Sequence, residues 1–267
     1  MIEIIKYPRT KHIEGSRLQE GDHDLAQTPF EALKGKYLVI EEKMDGANSG
    51  ISFSDEGELL LQSRGHYLTG GYRERHFALF KTWANTFQTA LYEVLGNRYI
   101  MYGEWLYAKH TIYYNNLSHY FMEFDIYDKQ TQTFLSTEVR HKEFMNRLPF
   151  VQPVKVLYEG LLNRKESLTN LITPSYFIKG DHIAEMVEWC NQNGIKGEQV
   201  RQETDNSNTM EGLYIKVEQD GKVTERYKWV RFDFFQTAIQ SGSHWLDRPI
   251  VPNQLAEGVN LFRISDL

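Results

Sequence analysis

The chain has 267 residues, of which 41% are hydrophobic and 13% aromatic, enough to bury a substantial core. Its formal net charge of −6 argues against a globally basic protein that coats nucleic acid, but not against a local basic groove. A single cysteine excludes intrachain disulfides and cysteine-based zinc sites, and no apolar run approaches the roughly 20 residues of a membrane helix. We therefore expect a cytoplasmic protein without membrane contact.

Strand signals dominate the chain up to residue 68. The runs at 36–44, 48–53 and 58–65 are rich in β-branched and aromatic residues, and Asp45-Gly46 is a turn signal between the first two. The stretch 76–96 then places apolar residues three or four positions apart and ends in glycine. This spacing predicts one amphipathic helix.

The rest of the chain mixes strands and helices. A capped helix is predicted over 136–149, and another over 181–193, where Cys190 falls on the apolar face as a core thiol. Further strands are predicted at 98–107, 120–128, 210–218 and 223–232, the last two joined by the hairpin signal "QDGK". Because there is no regular βαβ alternation, we predict one α+β domain of antiparallel β-sheets flanked by helices.

Several predicted strands carry charged residues among aromatic and branched ones. Lys43 ends the first strand, Glu104 follows an apolar run, and Arg226 and Lys228 share one face of the last strand. Charges of both signs are costly in a sheet unless they pair or meet a ligand. A polyanionic ligand shared by these strands would satisfy them together.

The same segments resemble the motifs of the covalent nucleotidyltransferases, which include ATP-dependent ligases and capping enzymes. "EKMDGAN" resembles motif I, KxDG, whose lysine becomes attached to a nucleoside monophosphate. The other matches are "QSRG" to the arginine-bearing motif that follows, "YGEW" to motif III, "EFDIYD" to motif IIIa, "EGLYIK" to motif IV and "ERYKWVR" to motif V. One match is weak evidence, whereas several in order are strong. Their form is most similar to ATP-dependent RNA ligases of the RNA-ligase-2 type.

This resemblance implies an adenylation (nucleotidyltransferase) domain over residues 1–240 and a short C-terminal extension, 241–267, packed on it. Too few residues follow Lys228 for the oligonucleotide-binding barrel that continues many ligases, so we expect no such barrel. The implied cofactors are ATP, as the AMP donor, and Mg²⁺ or Mn²⁺. The implied partners are RNA ends, in a nicked duplex or a single strand, with DNA ends and an RNA-repair protein as further partners.

The resemblance also implies a role for each matched residue. Lys43 becomes the nucleophile toward the α-phosphate of ATP, and Lys216 and Lys228 are further catalytic lysines. The implied cofactor-binding residues are Glu42 at the adenine edge, Phe124 on the adenine face, Glu104 at the ribose hydroxyls, and Lys43, Arg64, Glu211, Lys216, Arg226 and Lys228 at phosphates. Asn48 and Arg64 are implied for the RNA ends, and Glu211 for the metal. Motif V usually reads Lys-x-Lys, so Arg226 departs from the pattern. Its planar guanidinium keeps the positive charge but replaces the single ammonium donor of a lysine.

Two features of the matched residues require an explanation from the structure: the charge of Lys43 and the relative orientation of Glu211 and Lys216. A lysine amine has a pKa near 10.4, so presenting it neutral near pH 7.4 costs about 4 kcal/mol, and we expect Lys216, Arg226, Lys228 or Mg²⁺ to lower the pKa of Lys43. Glu211 and Lys216 are five positions apart and would point to opposite faces of a straight strand. A bulge at Gly212 would restore a shared face.

The resulting hypothesis is an ATP-dependent RNA ligase that joins 3′-OH and 5′-phosphate ends through a lysyl–AMP and an adenylated 5′ end. The alternatives are a minimal ATP-dependent DNA ligase and a non-catalytic nucleotide- or nucleic-acid-binding module of the same fold. The histidines near the motifs show no metal-ligand spacing, and we assign them no role.

Overall fold

One open β-sheet organises the computed structural model of the chain, which describes residues 3–18, 22, 26–234 and 249–263. The strands are β1 (Lys11–His12), β2 (Tyr37–Lys43), β3 (Ala47–Phe53), β4 (Leu59–Ser63), β5 (Tyr99–Trp105), β6 (Phe121–Asp128), β7 (Thr133–Leu135), β8 (Gln152–Pro153), β9 (Val156–Leu161), β10 (Gly212–Gln219) and β11 (Lys222–Val230). Their spatial order is β4-β3-β5-β6-β7-β11-β10-β2-β9, with β1 beside β11 and β8 beside β6. Apart from the parallel pairs β1–β11 and β6–β8, these neighbours are antiparallel. The predicted α+β class is confirmed, although the described strands form one continuous sheet.

Six short α-helices accompany the described strands. They are α1 (Ala78–Thr86), α2 (Gln88–Leu95), α3 (Thr137–Glu143), α4 (Lys165–Thr169), α5 (His182–Gln192) and α6 (Gly197–Gln202), with 3₁₀ turns at Phe30–Leu33, Tyr72–Phe77 and Met145–Arg147. Within the described residues, no helix has both the length and the apolar character that crossing a membrane requires.

The predicted helix over 76–96 is divided in the structure. A 3₁₀ turn covers its beginning, and Phe87 separates α1 from α2. The Phe87 ring stacks on Phe150 with centroids 4.1 Å apart, yet its N–H still donates to Trp83 and its carbonyl still accepts from Leu91. The hydrogen-bond spacing therefore continues across a kink, which explains why the apolar periodicity is unbroken.

Two further predicted helices, the predicted hairpin and the predicted strand segments can also be compared with the structure. The predicted helix over 181–193 is confirmed as α5, which begins where the Asp181 side chain accepts from the N–H of Ala184, and Cys190 is buried as predicted. The predicted helix over 136–149 begins at Ser136 as expected, but it breaks at Phe144 into α3 and a 3₁₀ turn. The hairpin β10–β11 turns through Asp220 and Gly221, both with positive φ, as its sequence predicts. Strands β7, β8 and β9 lie outside the predicted strand segments.

The sheet carries two main apolar clusters, one on each half. The first lies between strands β3 to β6 and helices α1 and α2, and includes the buried rings of Trp83, Trp105 and Phe121. The second packs the apolar faces of β2, β10 and β11 against the segments around residues 30–33 and 157–172. Strand β7 connects the halves through β6 and β11. This arrangement brings the end of β2 close to β5, where the site lies.

Part of the expected C-terminal extension can be described. Over 249–263 it packs against the loop after β5: the Asn253 side chain accepts from the N–H of Tyr114 and donates to the carbonyl of Leu106. The expected boundary between residues 240 and 241 lies outside the described residues.

Candidate active site

A cleft of about 1020 Å³ lies between the two halves of the sheet. Most of the predicted site residues line it: Glu42, Lys43, Asn48, Arg64, Glu104, Phe124 and Lys228. The cleft is as large as the biggest ordinary ligand pockets, about 1,000 Å³. It therefore has room for a nucleotide together with part of a second substrate.

Lys43 is the last residue of β2 and projects into this cleft with 21% of its side chain exposed. Both carboxylate oxygens of the fully buried Glu211 lie 2.7 Å from its Nζ. Asp45 comes after the end of the strand, and its carboxylate accepts from the N–H groups of Thr111 and Ile112 at 2.7 and 2.8 Å. Asp45 thus fixes the loop after β5 beside Lys43.

Glu211 reaches Lys43 without the predicted bulge. The pairing of β10 with β2 is regular from Gly212 to Val217, and the only register shift between β10 and β11 in the described hairpin lies at Val217/Glu218. Glu211 instead sits in a bend before the strand, which turns its side chain toward Lys43. The prediction of a bulge at Gly212 is wrong. Gly212 instead permits a close approach of the two strands, since a Cβ there would lie 2.1 Å from the Trp229 carbonyl oxygen.

The charge around Lys43 also differs from expectation. Burial lowers the pKa of the Lys43 ammonium, but the carboxylates of Glu211, Glu104 and Asp45 outweigh it, and the net pKa is raised. The side chains of Lys216, Arg226 and Lys228 were expected to lower this pKa, and that expectation is wrong, since the acidic neighbours of Lys43 have the larger effect. The amine is therefore protonated at neutral pH until other positive charge reaches the carboxylates.

Glu104 stands on β5, directly opposite Asn48 of β3. Burial raises the pKa of Glu104 to about 8; Lys43 acts against the shift, and Glu211 and Asp45 reinforce it. The carboxyl group is therefore largely neutral at pH 7 and available as a hydrogen-bond donor. In the described protein no group donates to the buried Oδ1 of Asn48, so the pair presents unused polar atoms beside Lys43.

Glu42 occupies the opposite face of β2. Its carboxylate accepts from the Ser175 hydroxyl at 2.5 Å and from the N–H of Tyr176, and neither residue lines the cleft. Burial raises the pKa of Glu42 to about 7. The structure therefore ties this carboxylate to the loop at 175–176 instead of to the side where Lys43 projects.

Lys228 enters the cleft from β11. It is ion-paired with Asp22, which also lies 3.1 Å from His12 Nε2 and 3.6 Å from Arg9 Nη2. Burial lowers the pKa of Lys228 and the nearby charge of Lys43 adds to this, while Asp22 opposes the shift. Lys43 and Lys228 therefore line the same cleft and lie close enough for their charges to interact.

Lys216 and Arg226 are placed behind the cleft wall instead of in its lining. Lys216 is fully buried and lies 2.9 Å from Glu41 and 3.4 Å from Asp125. Arg226 lies 3.8 Å from the same Asp125 and over the ring of Phe134. The structure thus does not bring these two cations to Lys43.

Comparison with known proteins identifies the family. Residues 36–230 match the RNA ligase family. The chain belongs to this family.

A solved RNA ligase structure shares its fold. A mutant RNA ligase from Naegleria gruberi with ATP and Mn has a TM-score of 0.51 and 16% identity, over 86% of this chain and 56% of that one. The RNA ligase of the same organism with PPi has a TM-score of 0.48 and 18% identity, over 86% of this chain and 61% of that one. This chain therefore spans little more than half of the Naegleria ligase. No curated protein sequence matches it.

The cleft of this RNA ligase family member contains residues that sequence reasoning did not assign. His110 lines it, and burial lowers the pKa of His110 to about 4, so its imidazole is neutral at pH 7. Tyr7, Thr10 and Tyr214 line another part. Apart from the place of Tyr214 inside motif IV, none has a distinctive local sequence pattern. Only the fold brings them to the cleft.

The donor set suits a divalent cation that arrives with a nucleotide. Among the described residues no group of three or more His, Cys, Asp or Glu side chains could hold a metal ion alone. Mg²⁺ is usually bound by one or two carboxylates together with substrate phosphates. Glu211, with Glu104 and Asp45 nearby, fits that arrangement better than a protein-only cage.

Proposed function

We propose that the chain is an ATP-dependent RNA ligase that joins 3′-OH and 5′-phosphate ends through a lysyl–AMP intermediate. One observation supports this above all: a lysine amine, paired with Glu211, projects into a nucleotide-sized cleft beside Lys228 and Glu104. Family membership supports the ligase class. The presence of ATP and Mn with a Naegleria RNA ligase of similar fold supports these cofactors.

In the first step Lys43 Nζ forms a bond to the α-phosphorus of ATP, while the bond to the pyrophosphate oxygen breaks. The ammonium must first give a proton to water, which the neighbouring carboxylates of Glu211 and Asp45 disfavour. A divalent ion bound with the phosphates, with Glu211 as its protein ligand, would supply neutralising charge at that point. Lys228 would stabilise negative charge on the phosphates, which is the main requirement of phosphoryl transfer.

The later steps use the same cleft. The AMP passes from Lys43 to a 5′-phosphate, and the 3′-OH then attacks the adenylated end with release of AMP. Arg64 is exposed on the cleft rim and can contact a phosphate of the RNA end. Asn48, with its unused Oδ1, lies deeper and can accept a hydrogen bond from a terminal hydroxyl.

Covalent labelling tests the first step. The wild type should form a labelled protein adduct with α-³²P-ATP and Mg²⁺ or Mn²⁺, and Lys43→Ala should form none, because it lacks the nucleophile. Lys34→Ala removes an exposed lysine that pairs with Glu31 away from the cleft, and should label like wild type. Absence of label on the wild type would favour a non-catalytic binding module.

Sealing assays then identify the ends. Nicked duplexes and single strands that differ only in the terminal 2′-OH should be offered to the labelled enzyme. Joining that requires the 2′-OH supports an RNA ligase. Equal joining of both kinds of end contradicts RNA specificity and favours the DNA ligase alternative.

A further inference from the structure

A row of hydroxyl groups lines the cleft beside Phe124. The Tyr7 ring packs edge-on against Phe124 with centroids 5.1 Å apart, and the Tyr214 ring lies 6.1 Å from it. The Tyr7 and Tyr214 hydroxyls are hydrogen-bonded to each other, and Thr10 Oγ1 lies 3.3 Å from the Tyr214 hydroxyl. All four residues line the cleft.

The inner end of this row rests on an ionised carboxylate. Asp125 is fully buried and is bonded to the Tyr7 hydroxyl. Burial alone would raise the pKa of Asp125, but the charges of Lys216, Arg226 and Arg140 outweigh it and leave the pKa below its ordinary value. An ionised carboxylate only accepts hydrogen bonds. Tyr7 must therefore be the donor.

This fixes the direction of the bonds between Asp125 and the two phenols. Burial and the charge on Asp125 raise the pKa values of Tyr7 and Tyr214, so both phenols keep their protons. Tyr7 uses its proton on Asp125 and can only accept from Tyr214, whose own proton is then committed. Thr10, at the outer end of the row, can donate to Tyr214. Toward the cleft, the two phenols offer oxygen lone pairs and no spare proton.

From this polarity we propose that Tyr214 and Tyr7 form a base-selecting edge that accepts a hydrogen bond from the 6-amino group of adenine and rejects a purine with a carbonyl there. The inference rests on the proposed adenylation activity. A carbonyl would face lone pairs and stay unpaired in a buried site, which costs free energy. Reversing the row to supply a proton would take the donor away from buried Asp125, which is also costly.

This assignment gives Lys216 and Arg226 a positioning function. Their side chains lie behind the cleft wall and hold Asp125 ionised. Asp125 then orients the row through Tyr7. The two cations thus act on nucleotide choice through a carboxylate and two phenols.

The test compares ATP with inosine triphosphate, which differs only by a carbonyl in place of the 6-amino group. Rates of covalent labelling should favour ATP on the wild type by at least about tenfold, the discrimination expected of one buried hydrogen bond. Tyr214→Phe and Tyr7→Phe should each bring the ratio close to one, because each removes one phenol of the edge. Tyr227→Phe is the matched control, because its hydroxyl is bonded to Glu225 outside the cleft, and it should keep the wild-type ratio.

The outcomes separate the two proposals. A wild type labelled equally by both nucleotides overturns the base-selecting edge and leaves the adenylation activity standing. An unchanged ratio in a folded Tyr214→Phe or Tyr7→Phe variant also overturns the base-selecting edge, and either variant suffices if the other does not fold. A wild type labelled by neither nucleotide overturns both proposals.

Discussion

The acidic side chains around Lys43 determine its charge. The carboxylates of Glu211 and Asp45 keep the amine protonated near neutral pH, and the strongest of these contacts is the pair with Glu211. The same two carboxylates disfavour a further negative charge, which is part of why Glu104 retains a proton near neutral pH. Each charge state therefore depends on its neighbours. We infer that positive charge brought with ATP would shift these groups together.

The pH dependence of stability should reveal the raised pKa of Glu104. Between its usual pKa of about 4.3 and about 8, Glu104 is protonated in the folded protein but ionised in the unfolded chain, so its contribution to stability falls as pH rises. Glu104→Gln cannot ionise, so the free energy of unfolding of the variant relative to wild type should increase from pH 5 to pH 8. Urea unfolding at several pH values measures this.

The exposed Glu58 provides the control, and Glu58→Gln should follow the wild-type pH curve. A constant difference between Glu104→Gln and wild type across pH 5–8 would show that Glu104 is ionised throughout in the folded protein.

At the same scale, short motifs predict Lys43, Glu104 and Lys228, and the structure places all three in the cleft. Local sequence carries no comparable sign of Tyr7, because its partner Asp125 is 118 positions away and tyrosine is an ordinary core residue. The contact of Asp22 with Lys228 likewise cannot be predicted from local sequence. It depends on the pairing of β1 with β11, which brings His12 beside Lys228.

Among the elements, the hairpin β10–β11 contributes most to the site. It carries Glu211 at one end and Lys228 on the facing strand, so both depend on how closely the two strands approach. That approach is tightest at Gly212, which faces Val230 and nearly touches the backbone of Trp229. The sequence places a glycine there, but its pattern fits a bulge as well as a close contact, so only the register distinguishes the two.

Gly212→Ala should separate the two strands. Its Cβ would lie 2.1 Å from the Trp229 carbonyl oxygen, a backbone atom that cannot move alone. Overpacking typically costs about 1–3 kcal/mol, and we expect a loss near or above the upper end together with loss of covalent labelling. Denaturant unfolding followed by tryptophan fluorescence measures the loss.

Gly65→Ala is the control, since a Cβ there meets nothing within 4 Å, and it should change stability little. Equal stability of the two variants would contradict the close approach at Gly212.

In the whole molecule, a chain of buried charges joins the two halves of the sheet. Arg140 of α3 is fully buried and donates to Glu123 of β6 and, at 3.0 Å, to Glu41 of β2. Lys216 of β10 bridges Glu41 and Asp125. Strands β2 and β6 are not neighbours in the sheet, so this network links two strands that the backbone pairing leaves apart. Sequence periodicity predicts the strands and the α+β class, but not this contact, since a charged residue on a helix is normally assigned to solvent.

Arg140→Met should therefore destabilise the protein by about 3–5 kcal/mol, because Glu123 loses its cation in a buried site. In the double variant Arg140→Met/Glu123→Met the charge and its partner are removed together, while Glu41 keeps Lys216. Replacing a buried ion pair with apolar groups is often neutral or stabilising, so the double variant should recover most of the lost stability. If the effects of the two single substitutions on the free energy of unfolding were strictly additive, a direct buried pair would be contradicted.

The same double variant tests whether the network also sets the distance across the cleft. If it does, the double variant should remain slower than wild type in covalent labelling. Full recovery of the labelling rate would show that Arg140 contributes to stability alone.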